Sequence, residues 1–342
     1  MANKLTLSAV GLFSLLAAGT FAQTATTDPV GFIKISIPGA PAGGESYAYP
    51  ALSLVRAQEY RGVITSNTAT VITDSAATWS DNQFNGSGTT PTHYVEILTG
   101  ANAGATFDIS ATTATTKAIT VAASFAANAL NGQSYRIRKH WTLGAVFGAA
   151  NEIGLTGGTA TTADLVHLWN GTSYVVYYYR VTAGGAVGWR SAGDTVTNQA
   201  NAVVFPEDGI FLKKRGTTAL SLVVVGDVRT GADQMAVSQG YNLLNPASPV
   251  DIRLSASGLF TGSTSTGMKP GTPSTADMLQ IWTGSGFNVY YMRQTALGLV
   301  GWRLAGDTVT DQANAVIPAG ASVILKRQAD VPSFVWNRPQ PY

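Results

Sequence analysis

Hydrophobic and polar residues alternate along many short stretches of the chain. Two further stretches, 174–181 and 287–294, are extended segments that carry aromatic and aliphatic side chains on both faces. A period of two is typical of β-strands, and the glycines between such stretches favour tight turns. The pattern predicts an all-β fold of short strands, with further strands at 30–38, 211–213, 220–228 and 323–326.

The chain contains a long internal repeat. Residues 162–215 align with 275–328 without a gap, at an offset of 113, and 29 of the 54 aligned positions are identical. Within this alignment, 187–203 and 300–316 differ at only two positions. Similarity at a fixed spacing is the signature of duplicated structural units. We therefore expect two tandem homologous domains of a β-sandwich or barrel-like kind.

The first copy is interrupted by an insertion. A Tyr-Pro segment near residue 47 loosely parallels one near residue 241, but only if about 80 residues are skipped in the first copy, by the spacing of the repeat. The predicted division is a first β-repeat domain at 23–61 plus 141–216, an inserted small β-module at 62–140, and a second β-repeat domain at 217–342. In this division 30–38 and 220–228 are the opening strands of the two copies.

The first residues resemble a secretory signal peptide. Lys4 is followed by an apolar stretch at 5–18 and by small residues before Gln23. We therefore treat 1–22 as a leader and expect an exported protein, extracellular or in the cell envelope, either periplasmic or on the outer surface. We expect no transmembrane segment after cleavage of the leader, because no second long apolar stretch follows.

Composition excludes several classes of function. The chain has no cysteine, which rules out disulfides, thiolate metal sites and cysteine nucleophiles. Charged residues make up 12% of the chain and the net charge is +2, so nucleic acid is not an expected partner. The histidines His93, His140 and His167 lack the close spacing of metal ligands and are predicted to be packed or surface residues. No metal and no cofactor are predicted.

Carboxylate pairs are the remaining candidates for hydrolytic chemistry, since glycosidases use two acids facing a sugar. The pair Asp164 and Asp194 recurs in the second copy as Asp277 and Asp307. The second acid of each pair follows glycine, which is typical of a structural turn. We favour the structural interpretation of both pairs.

One acidic dipeptide occurs in the first copy alone. Glu207-Asp208 aligns with Gly320-Ala321 of the second copy. A solvated turn is the favoured interpretation of these two acids. No nucleophile elbow, phosphate-binding loop or His-Glu-x-x-His pair is present elsewhere, so we predict no catalytic residues.

Aromatic residues recur at equivalent positions and are expected mainly in the cores. Strand alternation divides the tyrosine-rich strand of each copy into two faces. The face that both copies retain is predicted to pack inward. The face that diverges between the copies is the candidate binding surface, and it consists of Tyr177, Tyr179, Tyr290 and Met292.

Two resemblances follow from the motifs. The pattern 71–75, Trp79, 82–86 and 100–109 resembles a small β-module of phage tail, fibre and surface proteins, which implies a fold and no activity. The chain as a whole resembles an uncharacterised family of exported proteins from verrucomicrobial bacteria. That likeness rests on Thr27-Asp28-Pro29-Val30-Gly31, the 47–50 segment, Trp141-Thr142-Leu143-Gly144, and the paired Gly-Trp-Arg motifs at 188–190 and 301–303. It implies secretion and shared architecture.

These observations favour a non-catalytic cell-surface or extracellular protein, and we do not expect an enzyme. The expected role is structural, as a scaffold or fibre subunit, or adhesive through carbohydrate binding. The expected partners are an extracellular glycan or other copies of the chain, joined through 23–38 by strand addition. The alternative is a secreted polysaccharide-active enzyme of the glycoside hydrolase kind.

Overall fold

A computed structural model describes residues 29–86 and 90–340, and these residues confirm the all-β class. The predicted signal peptide at 1–22 lies outside the described residues. In the described ranges, no helix combines the length and apolar character needed to cross a bilayer.

The first copy supplies strands on both sides of the insertion. Before it come β1 (Val30–Ile37), β2 (Ser46–Ala48) and β3 (Leu54–Val55). The inserted module contains β4 (Gln58–Val63), β5 (Ser66–Asn67), β6 (Val71–Thr73), β7 (His93–Ile97), β8 (Thr106–Thr113), β9 (Ala118–Val121) and β10 (Ser134–Lys139). These seven strands form one antiparallel sheet, in the order β4-β10-β7-β8-β9-β6-β5, over a core of its own.

The first copy resumes after the module. Its elements are β11 (Trp141–Thr142), the short helix α1 (Leu143–Phe147), β12 (Leu165–Trp169), β13 (Tyr174–Arg180), β14 (Gly188–Ser191), β15 (Val203–Val204), β16 (Phe211–Lys214) and β17 (Leu220–Val228). Helix α1 begins where Thr142 Oγ1 accepts a hydrogen bond from the Ala145 amide, 3.2 Å away, an N-cap that satisfies an otherwise unpaired N–H.

The second copy repeats this order without an insertion. Its elements are β18 (Asp233–Val237), β19 (Gly240–Leu244), β20 (Ile252–Arg253), a 3₁₀ helix (Leu254–Ala256), β21 (Met278–Trp282), β22 (Phe287–Thr295), β23 (Gly298–Leu304), β24 (Val316–Ile317), β25 (Val323–Arg327) and β26 (Phe334–Arg338).

Each copy is built on a five-stranded antiparallel sheet with the same strand order. The order is β14-β13-β12-β16-β2 in the first copy and β23-β22-β21-β25-β19 in the second. In both copies a second, smaller group of strands packs over this sheet. In the first copy β1 and β17 supply Ile37, Leu222 and Val224 to the core, and in the second β18 and β26 supply Met235, Val237 and Trp336.

One strand has a different place from the one we expected. We expected Leu220–Val228 to open the second copy, but β17 pairs with β1 over its whole length, from Leu220 opposite Ile37 to Asp227 opposite Val30. The equivalent pair in the second copy is β26 with β18. Strand β17 therefore closes the sheet of the first copy, because its alternate residues fill that copy's core. The module also begins earlier than 62, since β4 starts at Gln58.

The two copies contact each other through equivalent segments in both directions. Asp208 bridges Leu244, and Ala321, the equivalent of Asp208, bridges Pro50. The Gly209 amide donates to the Leu243 carbonyl at 3.1 Å, and the Ser322 amide donates to the Tyr49 carbonyl at 2.8 Å. Such reciprocal contacts are those of a side-by-side pair related by a pseudo-twofold axis.

Buried ion pairs lie where the module and the two copies meet. Arg138, at the end of β10, donates to Asp227 of β17, with Nη1 and Oδ2 2.7 Å apart. Asp233, at the start of β18, accepts from both Arg229 and Arg338. All five side chains are buried or nearly so. The Arg138–Asp227 pair therefore joins the module to the first copy, and the Arg229–Asp233 pair joins the end of the first copy to the start of the second.

Candidate functional site

A cleft with a volume of about 850 Å³ lies between the two copies and beside the inserted module. We call it the inter-copy cleft. The first copy contributes Trp169, Tyr174 and Asp208 to its wall, the module contributes Asp108, and the second copy contributes Tyr241. Its volume is in the range of sites that bind small ligands or a few sugar rings.

A tight turn presents two aromatic side chains to the cleft. Trp169 ends β12 and Tyr174 begins β13, and the two residues are paired across the hairpin. Their ring centroids are 5.1 Å apart in an edge-to-face arrangement. The turn between them contains Gly171 at a φ of 94°, a conformation that favours glycine. It is fixed by Asn170 Oδ1, which accepts from the Ser173 amide at 2.8 Å. The backbone therefore holds the aromatic pair in place without help from a ligand.

The equivalent aromatic pair in the second copy packs against a further aromatic ring. Trp282 and Phe287 occupy the equivalent positions, with their ring centroids 5.0 Å apart. The ring of Tyr49 lies 5.5 Å from Trp282 and 5.2 Å from Phe287, and it also stacks on Phe211 at 5.0 Å. The second-copy pair is therefore part of the packing between the copies.

The strand register identifies the second-copy residue that is equivalent to Tyr49. Tyr47 lies opposite Lys213, and Tyr241 lies opposite Lys326, the repeat equivalent of Lys213. Two residues further along, the equivalent of Tyr49 is Leu243. Leu243 has a smaller side chain than Tyr49, and it lines the inter-copy cleft together with Trp169 and Tyr174.

Three carboxylates line the inter-copy cleft, one from the inserted module and two from the first copy. They are Asp108 on β8, and Glu207 and Asp208 between β15 and β16. His140 is the nearest base to Asp108, with Nε2 3.0 Å from Oδ1, although the ring is not aligned for a hydrogen bond. Glu207 Oε2 is shielded from solvent and has no hydrogen-bond partner in the described part of the chain. The positive charges that act on Glu207 are those of His140 and Arg229.

Burial and the charges of neighbouring acids raise the pKa of two of these carboxyl groups. Burial raises the pKa of Glu207, and the charge of Asp108 adds to the effect. Burial, with the charges of Glu207 and Asp108, raises the pKa of Asp208 to about 8. Carboxyl groups with raised pKa values in a cleft are a physical indication of a functional site.

Replacing Asp208 by asparagine is expected to stabilise the protein at neutral and alkaline pH. Because the folded-state pKa lies above the ordinary value of 3.8, wild-type stability falls as pH rises from about 4 to about 8. We expect Asp208→Asn to unfold with a free energy about 2 kcal/mol above wild type at pH 8, and with no gain at pH 4. Urea denaturation across this range measures the difference. Asp330→Asn, which alters an exposed acid, is the control. A constant difference between Asp208→Asn and wild type would contradict the raised pKa.

The four residues of the predicted binding surface lie in different places in the structure. Tyr290 and Met292 are buried in the core of the second copy beside Trp302, and Tyr179 packs against Trp189 in the core of the first. Tyr177 is half-buried and lines the inter-copy cleft.

Most of the divergent face packs into the cores of the two copies, where Tyr179, Tyr290 and Met292 lie. The retained face is covered too, as Tyr178 packs in a smaller cluster with Ala163 and Leu165. Of the four predicted residues, Tyr177 lines the inter-copy cleft, and Met292 lines a separate, smaller cleft beside Trp302.

The duplicated carboxylates have structural roles in both copies, as the sequence indicated. Asp164 is buried against Lys214, with Oδ2 and Nζ 2.7 Å apart, and Asp277 is buried against Arg327. Asp194 Oδ1 accepts from the Val196 amide at 2.8 Å, and Asp307 does the same with Val309 at 2.9 Å. The last two are turn residues.

The three histidines lie in separate surroundings. His93 pairs with Glu59 at 3.1 Å, and His167 packs on Phe211 with ring centroids 4.6 Å apart. His140 is buried beside Tyr94 and Phe205. The first two contribute no side chain to the cleft wall. They are packed residues, as predicted.

Sequence reasoning missed Glu207 and Asp208, which were predicted to be a solvated turn. The structure places both in the cleft because the reciprocal contact between the copies draws their segment against β19. The sequence did contain a sign of this difference, because the first copy has two acids where the second copy has glycine and alanine.

Comparisons with known proteins add no relative. No family model, no curated protein and no solved structure matches the chain.

Proposed function

We propose that this chain is an exported, non-catalytic glycan-binding protein and that the inter-copy cleft holds the sugar. The observation that carries the proposal is the difference between the two copies. Trp169 and Tyr174 line the cleft, whereas the rings of the equivalent pair, Trp282 and Phe287, pack against Tyr49. Flat aromatic faces beside polar groups suit sugar rings, which have apolar faces and hydroxyl edges.

Polar side chains around the aromatic pair suit the edges of a sugar. Asn170 uses its oxygen in the turn, which leaves its amide nitrogen available to donate. Gln199 and Asp208 also line the cleft and add hydrogen-bonding groups of both kinds. A site with few polar groups among aromatic walls orients a ligand as well as holding it.

Replacing Trp169 by alanine is expected to weaken glycan binding by at least about tenfold, because a central aromatic contact carries much of the binding energy. Folding is expected to be little affected, since this ring lines a cleft. Affinity electrophoresis against a panel of soluble polysaccharides, followed by calorimetry on those that retard the protein, measures the affinity.

The matched control is Trp282→Ala in the second copy. Trp282 is packed against Tyr49 and Phe287, so its loss is expected to cost about 3 kcal/mol of stability while affinity is retained. Wild-type affinity in Trp169→Ala, or equal loss of affinity in both variants, would overturn the proposal.

The second candidate function is polysaccharide hydrolysis, favoured by the acids of the cleft. A glycosidase needs one protonated acid and a second carboxylate on the other side of the scissile bond. Asp208, with a pKa of about 8, is protonated at neutral pH, and Asp108 faces the cleft from another element. Release of reducing ends from a bound polysaccharide, abolished in Asp208→Asn, would establish this function. Intact polysaccharide after prolonged incubation would exclude it.

A structural role through self-association stays a prediction. Strand β1 pairs with β17 alone and has Val30 71% and Phe32 76% exposed, beside Val225 at 57%. Exposed edge strands with apolar residues favour strand addition. The mass of residues 23–342 in solution tests this role, since a monomer at all concentrations would exclude a fibre subunit.

A further inference from the structure

A second cleft, with a volume of about 430 Å³, lies within the second copy against the side chain of Trp302. We call it the Trp302 cleft. Leu254, Phe260, Met292 and Pro339 supply apolar surface to its wall, and none of the described residues of this wall is charged. A cleft of this size and composition suits an uncharged ligand of about one ring.

The equivalent tryptophan of the first copy, Trp189, has its partners within the protein. The ring of Tyr179 packs edge-to-face on it with the centroids 5.6 Å apart, and the ring of Phe147 lies 6.1 Å away. The indole N–H donates to the Gly148 carbonyl at 2.8 Å. Two aromatic rings and one carbonyl oxygen therefore complete the surroundings of this side chain.

The second copy has neither of these two rings at the equivalent positions. The alignment of the repeats places Met292 where the first copy has Tyr179. Two equivalent backbone hydrogen bonds run from the Leu143 amide to the Ala202 carbonyl and from the Leu254 amide to the Ala315 carbonyl, each at 2.8 Å. Four residues further along each chain segment, Phe147 therefore corresponds to Gly258. A Cβ atom at 258 would lie 2.5 Å from the Asn337 carbonyl oxygen, so the backbone passes where no side chain fits. Gly258 and Met292 both line the Trp302 cleft.

The indole of Trp302 has no polar or aromatic partner among the described residues. Trp302 is 4% exposed, yet its N–H donates no hydrogen bond and its ring forms no aromatic pair within the part of the chain that the structure describes. Its nitrogen is not one of the fully enclosed atoms without a partner, so solvent reaches it. An indole N–H acts only as a donor. The cleft therefore presents one hydrogen-bond donor among apolar walls.

We infer that the Trp302 cleft binds a small, uncharged aromatic compound with a carbonyl oxygen beside its ring, such as an aryl ketone or an aryl amide. The ligand ring packs on Trp302 as Tyr179 packs on Trp189. The ligand oxygen accepts from the indole N–H as the Gly148 carbonyl does in the first copy. This site is separate from the inter-copy cleft and does not depend on the binding of a sugar there.

The test follows the indole N–H groups by ¹⁵N NMR during titration with acetophenone. The chain has seven tryptophans, and the Trp302 signal is the one that Trp302→Phe removes. We expect acetophenone to shift this signal saturably and to leave the Trp189 signal in place. Cyclohexyl methyl ketone has the same carbonyl group and no aromatic face, and it is expected to bind at least about threefold more weakly.

Two variants locate the binding site. Met292→Tyr introduces the residue that the first copy has at this position, and it is expected to weaken acetophenone binding at least about tenfold because the new ring occupies the cleft. Its matched control, Tyr179→Met in the first copy, is expected to bind as wild type does. Ala256→Phe changes an exposed residue of the cleft wall and is expected to weaken binding without disturbing a buried position.

The outcomes separate this site from the inter-copy cleft. A Trp302 signal that acetophenone does not move, or a saturable shift confined to other tryptophans, overturns the inference. Equal affinity for the saturated ketone overturns the assignment to an aromatic ligand. Wild-type affinity in a folded Met292→Tyr overturns the location, and urea denaturation shows whether that variant is folded. Where it is unfolded, wild-type affinity in Ala256→Phe overturns the location instead.

Discussion

Replacing Asp233 by alanine is expected to lower the free energy of unfolding by about 3 to 5 kcal/mol. Both oxygens of this carboxylate are used, one by Arg229 and the other by Arg338, and all three residues are buried. Without the carboxylate, two arginine charges remain in the interior with one partner fewer. The loss exceeds that of an exposed pair because water cannot replace the missing partner.

Denaturation in urea, followed by tryptophan fluorescence and by far-UV circular dichroism, measures this effect. Asp330→Ala is the control, since Asp330 is 66% exposed where it pairs with Lys269, and its removal is expected to change the stability far less than the removal of Asp233. Equal stabilities for the two variants would show that the Asp233 contacts do not hold the junction between the copies.

Replacing Leu243 by tyrosine is expected to abolish ligand binding while leaving the protein folded. The new ring would stand over Trp169 and Tyr174 as the Tyr49 ring stands over Trp282 and Phe287. An aromatic side chain already satisfies this position in the other copy, so the substitution repeats a packing arrangement that the fold accepts. We expect a loss of affinity of at least about 100-fold, because the new ring would occupy the space that the ligand needs.

The reciprocal variant, Tyr49→Leu, separates packing from binding. It removes a ring that contacts Phe211, Trp282 and Phe287, and it is expected to cost about 2 kcal/mol of stability without weakening the ligand. If Leu243→Tyr is folded and binds as tightly as wild type, the cleft is not the binding site.

The sequence predicted the repeated strands well because their signal is local. Alternation marks Tyr174–Arg180 and Phe287–Thr295, and the alignment fixes their equivalence. The turn acids Asp194 and Asp307 were also assigned correctly, since a Gly-Asp turn is specified by neighbouring residues.

The pairing of β17 with β1 could not be read from local pattern. The two strands are separated by most of the first copy and by the whole inserted module. An apolar strand after a repeat is equally compatible with closing one copy and opening the next. Only the long-range pairing decides between them.

Alternation also could not show how much of the candidate surface other segments cover. It shows which residues share a face but not what lies over that face: Tyr178 packs in a cluster with Ala163 and Leu165, whereas Tyr177 lines the inter-copy cleft. The cleft depends on how the copies meet, which places Leu243 and Asp208 from different copies side by side. No pattern within one copy contains that information.

The most direct test of the central claim is a crystal structure of the protein with a bound oligosaccharide from the binding screen. We predict sugar rings in the inter-copy cleft against Trp169 and Tyr174, with none against Trp282, whose face Tyr49 covers. A sugar bound elsewhere on the molecule, with the inter-copy cleft empty, would contradict the account.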